Sequence, residues 1–256
     1  MEKMIEILKI KKDKKRFIVY TNDGEYKFTE DTIVSFMVLK GKTFSEKEFK
    51  KIVKANCSDE LFNKALNYIS YQMRSEYEIY SYLKEKEASQ VEIERIIKKI
   101  KDFGYIDDRA LSKYLTDYVI RQKKGPKVLE RKLQEKRIDE EIIKEVLSSY
   151  DFDKEIEVAN LLMDSILKKN TDKPLKAQKM NAYTKLARDG FSGEVINHVI
   201  NEATFSDNSL ERIEKEIERL EYKYRDLDDA KRREKMIASL LRKGYEYSII
   251  SRYLEK

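Results

Sequence analysis

Apolar residues along this chain follow two different rhythms. Up to about residue 57 they come in short β-branched and aromatic runs: Met4-Ile5-Glu6-Ile7-Leu8-Lys9-Ile10, then Phe17-Ile18-Val19-Tyr20, then Tyr26-Lys27-Phe28. Asn22-Asp23-Gly24 stands between the second and third runs and supplies residues that tolerate a tight turn, so the spacing predicts a small β-meander. Thr29 before Ile33–Leu39 and Ser45 before Phe49–Ala55 read as N-caps of two short helices.

From Asp59 onward the period is helical, and one block recurs four times. A Leu is followed by a tight elbow, then by aliphatic positions ten, thirteen and fourteen residues after the Leu. The copies are Leu83 with Ile93, Ile96 and Ile97; Leu133 with Ile143, Val146 and Leu147; Leu186 with Ile196, Val199 and Ile200; and Leu240 with Ile250, Tyr253 and Leu254. They start 50, 53 and 54 residues apart, a spacing that marks a helical repeat array. Ser89, Asp139 and Ser192 hold the same place in three copies, where a side-chain oxygen caps the following helix. Four residues after the Leu stand Glu87, Arg137, Gly190 and Gly244. Glycine in two of them predicts a left-handed helix end, which the other two copies must reach at a cost or by another route.

The expected fold is therefore mainly α: tandem three-helix repeats forming an elongated, curved array behind a small β-containing cap. Expected boundaries are 1–57 for the cap and 58–106, 107–150, 151–204 and 205–256 for the repeats. Expected helices fall near 60–71, 75–86 and 89–103; 107–122, 126–136 and 139–149; 154–168, 175–188 and 192–203; and 209–225, 228–242 and 247–254.

Composition narrows the chemistry. Charged residues make up 40% of the chain and hydrophobic ones 41%, with seven Gly and two Pro, which suits long helices with solvated outer faces. One Cys, Cys57, excludes an internal disulfide, and one His, His198, excludes a Cys/His zinc cluster. No long apolar run and no signal-like start are present, so a cytoplasmic protein that neither spans nor binds a membrane is expected. No phosphate-cradling glycine loop, His-Glu-x-x-His or Gly-x-Ser-x-Gly occurs, and neither catalysis nor a cofactor is expected.

The net charge of +6 is unevenly spread. Residues 121–137 hold eight basic side chains against two acidic ones, and residues 1–57 hold fourteen against nine. Arg121, Lys123, Lys124, Lys127, Arg131, Lys132, Lys136 and Arg137 are the candidate contacts for a phosphate backbone or an acidic partner. Gly125-Pro126 adds a helix start whose free N–H groups would favour an anion. Each feature has a plainer reading. The basic run could be a solvated face. Asp107-Asp108 reads as a helix cap rather than an acid/base pair, His198 as structural, and Cys57 as a half-buried thiol. Tyr77, Tyr80, Tyr82, Tyr105, Tyr114 and Tyr118 fit helix packing better than base stacking. The charged run from Asp228 to Arg233 reads as a solvated helix face.

Three segments resemble motifs of the RecX family, regulators of the RecA recombinase. Arg74-Ser-Glu-Tyr-Glu78 through Leu83 resembles the family's opening motif. Phe103-Gly104-Tyr105-Ile-Asp-Asp108 resembles its second block, and Lys124-Gly125-Pro126-Lys-Val-Leu129 its third. Departures fall at Glu87 and Arg137, where the family's elbows usually carry Gly, and at Leu111-Ser112, where an aromatic-Ala pair is usual. The N-terminal cap and the fourth repeat resemble longer members from Gram-positive bacteria. The resemblance implies a monomeric protein that lies in the groove of the RecA–single-stranded DNA filament and most often inhibits its growth, ATPase and strand exchange, with single- or double-stranded DNA as a further contact. Two other readings stay open on the sequence: a helix-turn-helix-like DNA binder acting without RecA, and a protein-only scaffold.

Overall fold

The computed structural model describes residues 3–14, 16–169, 173–206 and 209–254. Its contacts divide the chain into two compact units, Met1–Leu111 with Lys136–Ile138, and Ser112–Glu135 with Asp139–Lys256.

In the first unit, β1 (Met4–Asp13), β2 (Arg16–Thr21) and β3 (Gly24–Phe28) form the expected meander. Thr21 pairs with Gly24 around the two-residue turn Asn22–Asp23. Helix α1 (Glu30–Ser35) follows, and β4 (Thr43–Ser45) then pairs with β1, giving the antiparallel order β3-β2-β1-β4. Alternation places Ile5, Ile7, Val19 and Phe28 on the inner face, where they pack on Phe44, Phe49 and Ile52.

The expected end of the cap at residue 57 is corrected by α2 (Glu46–Ser70), a single helix of 25 residues where two were expected. The side chains around Cys57 explain its continuity. Asn56 accepts from the Thr29 N–H at 2.8 Å and donates to the Lys27 carbonyl at 3.0 Å, while Asp59 accepts from the Thr32 hydroxyl at 2.8 Å. A break there would strand these buried partners, each bond contributing about 1 kcal/mol. One helix thus serves two cores: Phe49 and Ile52 close the cap, and Leu61 and Ala65 enter the next cluster.

That cluster is built by α3 (Glu76–Glu85) and α4 (Gln90–Asp102), with Ile79, Leu83, Ile93, Ile96, Ile97, Ile100 and Ile106 buried against α2. The pattern then repeats through α5 (Asp108–Arg121), α6 (Pro126–Glu135) and α7 (Glu140–Ser149); α8 (Phe152–Leu167), α9 (Leu175–Arg188) and α10 (Gly193–Glu202); and α11 (Ser209–Lys223), α12 (Asp229–Lys243) and α13 (Tyr247–Leu254). The four repeat leucines, Leu83, Leu133, Leu186 and Leu240, are all fully buried. Each stabilises its three-helix unit by about 1.5–3 kcal/mol through apolar burial.

Candidate functional site

The middle helices α3, α6, α9 and α12 each end in the elbow that the sequence marks, and all four elbows share one backbone. Glu87, Arg137, Gly190 and Gly244 have φ of 59°, 53°, 91° and 93°. In copies one, three and four the residue after this position returns its N–H to the repeat leucine: Ala88 to Leu83, Phe191 to Leu186 and Tyr245 to Leu240, at 3.1–3.2 Å. This six-to-one closure needs a left-handed residue whatever its identity, so Glu87 and Arg137 adopt the conformation without being glycine.

Ser89, Asp139 and Ser192 are the N-caps of α4, α7 and α10, as their position predicts. Glu92 reinforces the first by accepting from both the Ser89 N–H and its hydroxyl, at 3.1 and 2.6 Å.

What the sequence does not reveal is where the elbows go. Elbow two, Lys136–Ile138, seats on the start of α3. The Ser75 hydroxyl donates to the Lys136 carbonyl at 2.7 Å, and Lys136 Nζ lies 2.7 Å from the Glu78 carboxylate. Glu78 also accepts from the Ser75 N–H at 2.9 Å and from Arg74 at 3.2 Å. Burial works to raise the Glu78 carboxyl, but the bonds from Lys136, Ser75 and Arg74 outweigh it and hold it below its ordinary value. Arg74 in turn lies 4.0 Å over the Tyr68 ring, which stacks on Tyr82 at 4.3 Å, and Arg137 lies 5.8 Å over Tyr77. The motif residues Arg74, Glu78 and Leu83 therefore build the seat and core of an inter-repeat joint.

Elbow three seats on α6 in the same manner. The Gly125 N–H donates to the Asp189 carbonyl at 2.8 Å and the Lys127 N–H to the Gly190 carbonyl at 3.2 Å. The buried Asp189 carboxylate is held by Lys124 at 2.7 Å and Lys185 at 2.5 Å. Burial raises its carboxyl, and these two ammonium groups outweigh that effect and set it below the usual carboxylate range. Gly125 is required by proximity: a Cβ there would come within 2.6 Å of the Phe191 nitrogen. Tyr150 completes the joint by donating its hydroxyl to the Lys124 carbonyl at 2.8 Å. Elbow four repeats the approach on α9, where a Cβ on Gly244 would come within 2.7 Å of the Ala177 Cβ.

These joints correct the expected anion site at Gly125-Pro126, because carbonyls of Asp189 and Gly190 already take the N–H groups of Gly125 and Lys127. They also divide the basic cluster. Lys123 donates to the Leu161 carbonyl at 2.9 Å and Lys124 holds Asp189, while Lys136 holds Glu78. Lys132 is half-buried with its ammonium 5.3 Å over the Tyr118 ring. Arg121, Lys127, Arg131 and Arg137 remain exposed, Arg131 in a long 3.7 Å pair with Glu135 on its own helix.

Of the remaining candidates, Asp107 accepts from the N–H groups of Arg109 and Ala110 at 2.8 and 3.1 Å, a cap of α5. Asp108 instead reaches the start of α3 and accepts from the Glu76 N–H at 2.9 Å, and burial raises its carboxyl. Gly104, at φ 70°, closes α4 and leaves the neighbouring Tyr105 exposed. Tyr80 donates to Gln90 at 3.2 Å and Tyr82 is half-buried on Tyr68, whereas Tyr77, Tyr114 and Tyr118 keep much of their surface in solvent. His198 pairs with Glu202 at 3.3 Å one turn on, a partner the sequence reading omits. Cys57 is exposed, not half-buried as expected.

Among the described residues no group of three or more His, Cys, Asp or Glu could hold a metal ion, and no helix is long and apolar enough to cross a membrane. Missed by the sequence reading were Ser75, Tyr150, Lys185 and Asp189 as joint residues. Only Asp189 carried a signal, its place immediately before the elbow glycine.

Fold and joints together define a tandem array of three-helix units whose elbows interlock, preceded by a four-stranded cap. The family models described as the first, second and third three-helix domains of RecX match residues 62–99, 107–147 and 207–254. These stretches coincide with copies one, two and four, and copy three lies between the last two. The chain is 33% identical over 252 residues to the regulatory protein RecX of Listeria welshimeri, covering 95% of this chain and 92% of that one. It is 30% identical to that of Enterococcus faecalis, covering 99% and 97%. A crystal structure of regulatory protein RecX superposes with a TM-score of 0.61 at 27% identity, over 77% of this chain and 100% of the other. RecX from Lactobacillus salivarius gives 0.54 at 27% identity, over 58% and 97%. The chain belongs to the RecX family.

Proposed function

We propose that this protein is a non-enzymatic regulator of the RecA recombinase, acting in the cytoplasm by binding the RecA–single-stranded DNA filament and restraining its growth, ATPase and strand exchange. Membership of the RecX family across nearly the whole chain carries this reading. The joints support it, since a binding surface built from repeats depends on fixed inter-repeat geometry. The exposed basic side chains Arg121, Lys127 and Arg131 are the contacts we assign to the filament or its DNA.

Mixing the pure protein with RecA, single-stranded DNA and ATP tests the proposal. The expected result is a lower ATPase rate and shorter filaments at amounts stoichiometric with RecA. No change in either would sink it. Binding to DNA without RecA, falling steeply with added salt, would favour the DNA-binding alternative.

A further inference from the structure

Among the described residues, three of the four elbows are covered by the N-terminus of a preceding middle helix, and elbow one is not. Asp189, Gly190 and Phe191 of elbow three are buried, and Ile138 and Tyr245 of elbows two and four are buried as well. In elbow one Lys86 is exposed where Lys136 of elbow two is half-buried, and Ala88 is half-buried where Ile138, Phe191 and Tyr245 are buried. Its backbone is nevertheless set in the docking conformation, with Glu87 at φ 59° and the Ala88 N–H closed onto Leu83 at 3.2 Å.

We propose that elbow one is a docking surface for the N-terminus of a helix on the partner filament, a helix opened by Ser or Thr with Glu three residues later. The inference rests on the function proposed above and specifies its contact. The occupant's chemistry follows from elbow two, which matches elbow one most closely. Both place Lys three residues after the repeat leucine, Lys86 and Lys136, and both hold a non-glycine residue at positive φ, 59° and 53°. Elbow two accepts a serine hydroxyl on the Lys136 carbonyl and a glutamate on its ammonium, the pattern Ser75-x-x-Glu78. The electrostatics have the same sense, because an elbow is the negative end of one helix dipole and its seat the positive end of another.

A second copy of this chain is a poor occupant. Helix α12, the last middle helix, begins at Asp228 with Lys231 in the position of Glu78, and Lys231 would face Lys86. Ser45-x-x-Glu48 and Ser89-x-x-Glu92 have the right pattern, but each serine hydroxyl is turned onto its own glutamate, at 2.9 and 2.6 Å, and the first of these helix starts is also bonded through the Glu46 N–H to the Lys3 carbonyl, just before the first strand. Among the described residues the Lys86 ammonium lies over the Tyr82 ring, 5.3 Å from its centre, and forms no ion pair, which leaves it available to an incoming carboxylate.

The test uses the full-length chain with RecA–single-stranded DNA filaments. Lys86→Glu is expected to weaken filament binding by about tenfold with an unchanged melting temperature, and Lys86→Arg to retain binding. A photo-crosslinking amino acid in place of Glu85 is expected to label a RecA peptide at the start of a helix of the Ser/Thr-x-x-Glu kind. Wild-type binding that Lys86→Glu leaves intact overturns the docking surface but leaves the regulator reading standing. Crosslinks to a second copy of this chain, or to a RecA strand or loop, also overturn the docking surface. Failure of the wild type to bind filaments removes the regulator reading and this inference with it.

Discussion

An L-residue with a side chain in the left-handed region is strained by about 1 kcal/mol relative to glycine, and two of the four elbows carry one. Glu87 is exposed and its side chain forms no hydrogen bond or ion pair among the described residues, so Glu87→Gly is expected to stabilise the protein by about 0.5–1 kcal/mol in denaturant unfolding. Arg137→Gly should gain less, because Arg137 also covers Tyr77. The converse holds at Gly190, where a left-handed φ of 91° coincides with a Cβ position 2.8 Å from Val128. Gly190→Ala should lose about 2 kcal/mol or more through strain and overlap, and a neutral result would contradict the joint. The sequence makes the conformation legible through Gly190 and Gly244. It hides the tight approach to Val128, since nothing near Gly190 in the chain names a neighbour more than sixty residues away.

At the scale of elements, two joints rest on charged groups held below their ordinary pKa. Glu78 and Asp189 are bound as carboxylates in the folded protein, so the unfolded chain takes up protons at higher pH than the native one. Their contribution is fully present above the unfolded values of about 4.5 and 3.8 and is lost as pH falls through the lower folded values. Asp108 has the opposite sign, its raised carboxyl favouring the folded state at lower pH, and it offsets part of this loss. Lys124→Ala removes a charged partner from buried Asp189 and should cost about 2 kcal/mol at pH 7. As pH falls below the ordinary carboxylate range and through the lowered Asp189 value, the difference between Lys124→Ala and wild type should shrink. A pH-independent difference in urea unfolding would show that the pair does not act as an ion pair. Helices, caps and the meander were readable because their signals are local. The seats were not, because Ser75 and Lys136 lie 61 residues apart and Lys124 and Asp189 lie 65 apart. The continuity of α2 was obscured for a related reason: Asn56 and Asp59 hold residues of the cap 24 to 29 positions away.

Across the whole molecule, the period of the Leu block announced the array, and the placement of side chains redistributes its expected functional residues. A basic run in sequence is one feature; in the folded chain it is two populations. Lys123, Lys124 and Lys136 are spent on carbonyls and carboxylates of the protein itself, whereas Arg121, Lys127 and Arg131 face solvent. Charge reversal separates them. Replacing Lys123 and Lys124 by Glu puts two anions beside the Leu161 carbonyl and the buried Asp189, and should lower the melting temperature by about 4–8 °C, the consequence of losing roughly 2 kcal/mol in a chain of this size. Among the described residues, replacing Arg121, Lys127 and Arg131 by Glu breaks no ion pair except the long, exposed one with Glu135, so the melting temperature should hold within about 1 °C. On the proposed function that triple variant should bind RecA–DNA filaments at least about tenfold more weakly, with a smaller dependence on salt than the wild type. Paired thermal melts and filament-binding titrations at two salt concentrations decide the matter: a triple variant that binds as the wild type does would remove this basic face as the contact, even if the protein still inhibits RecA.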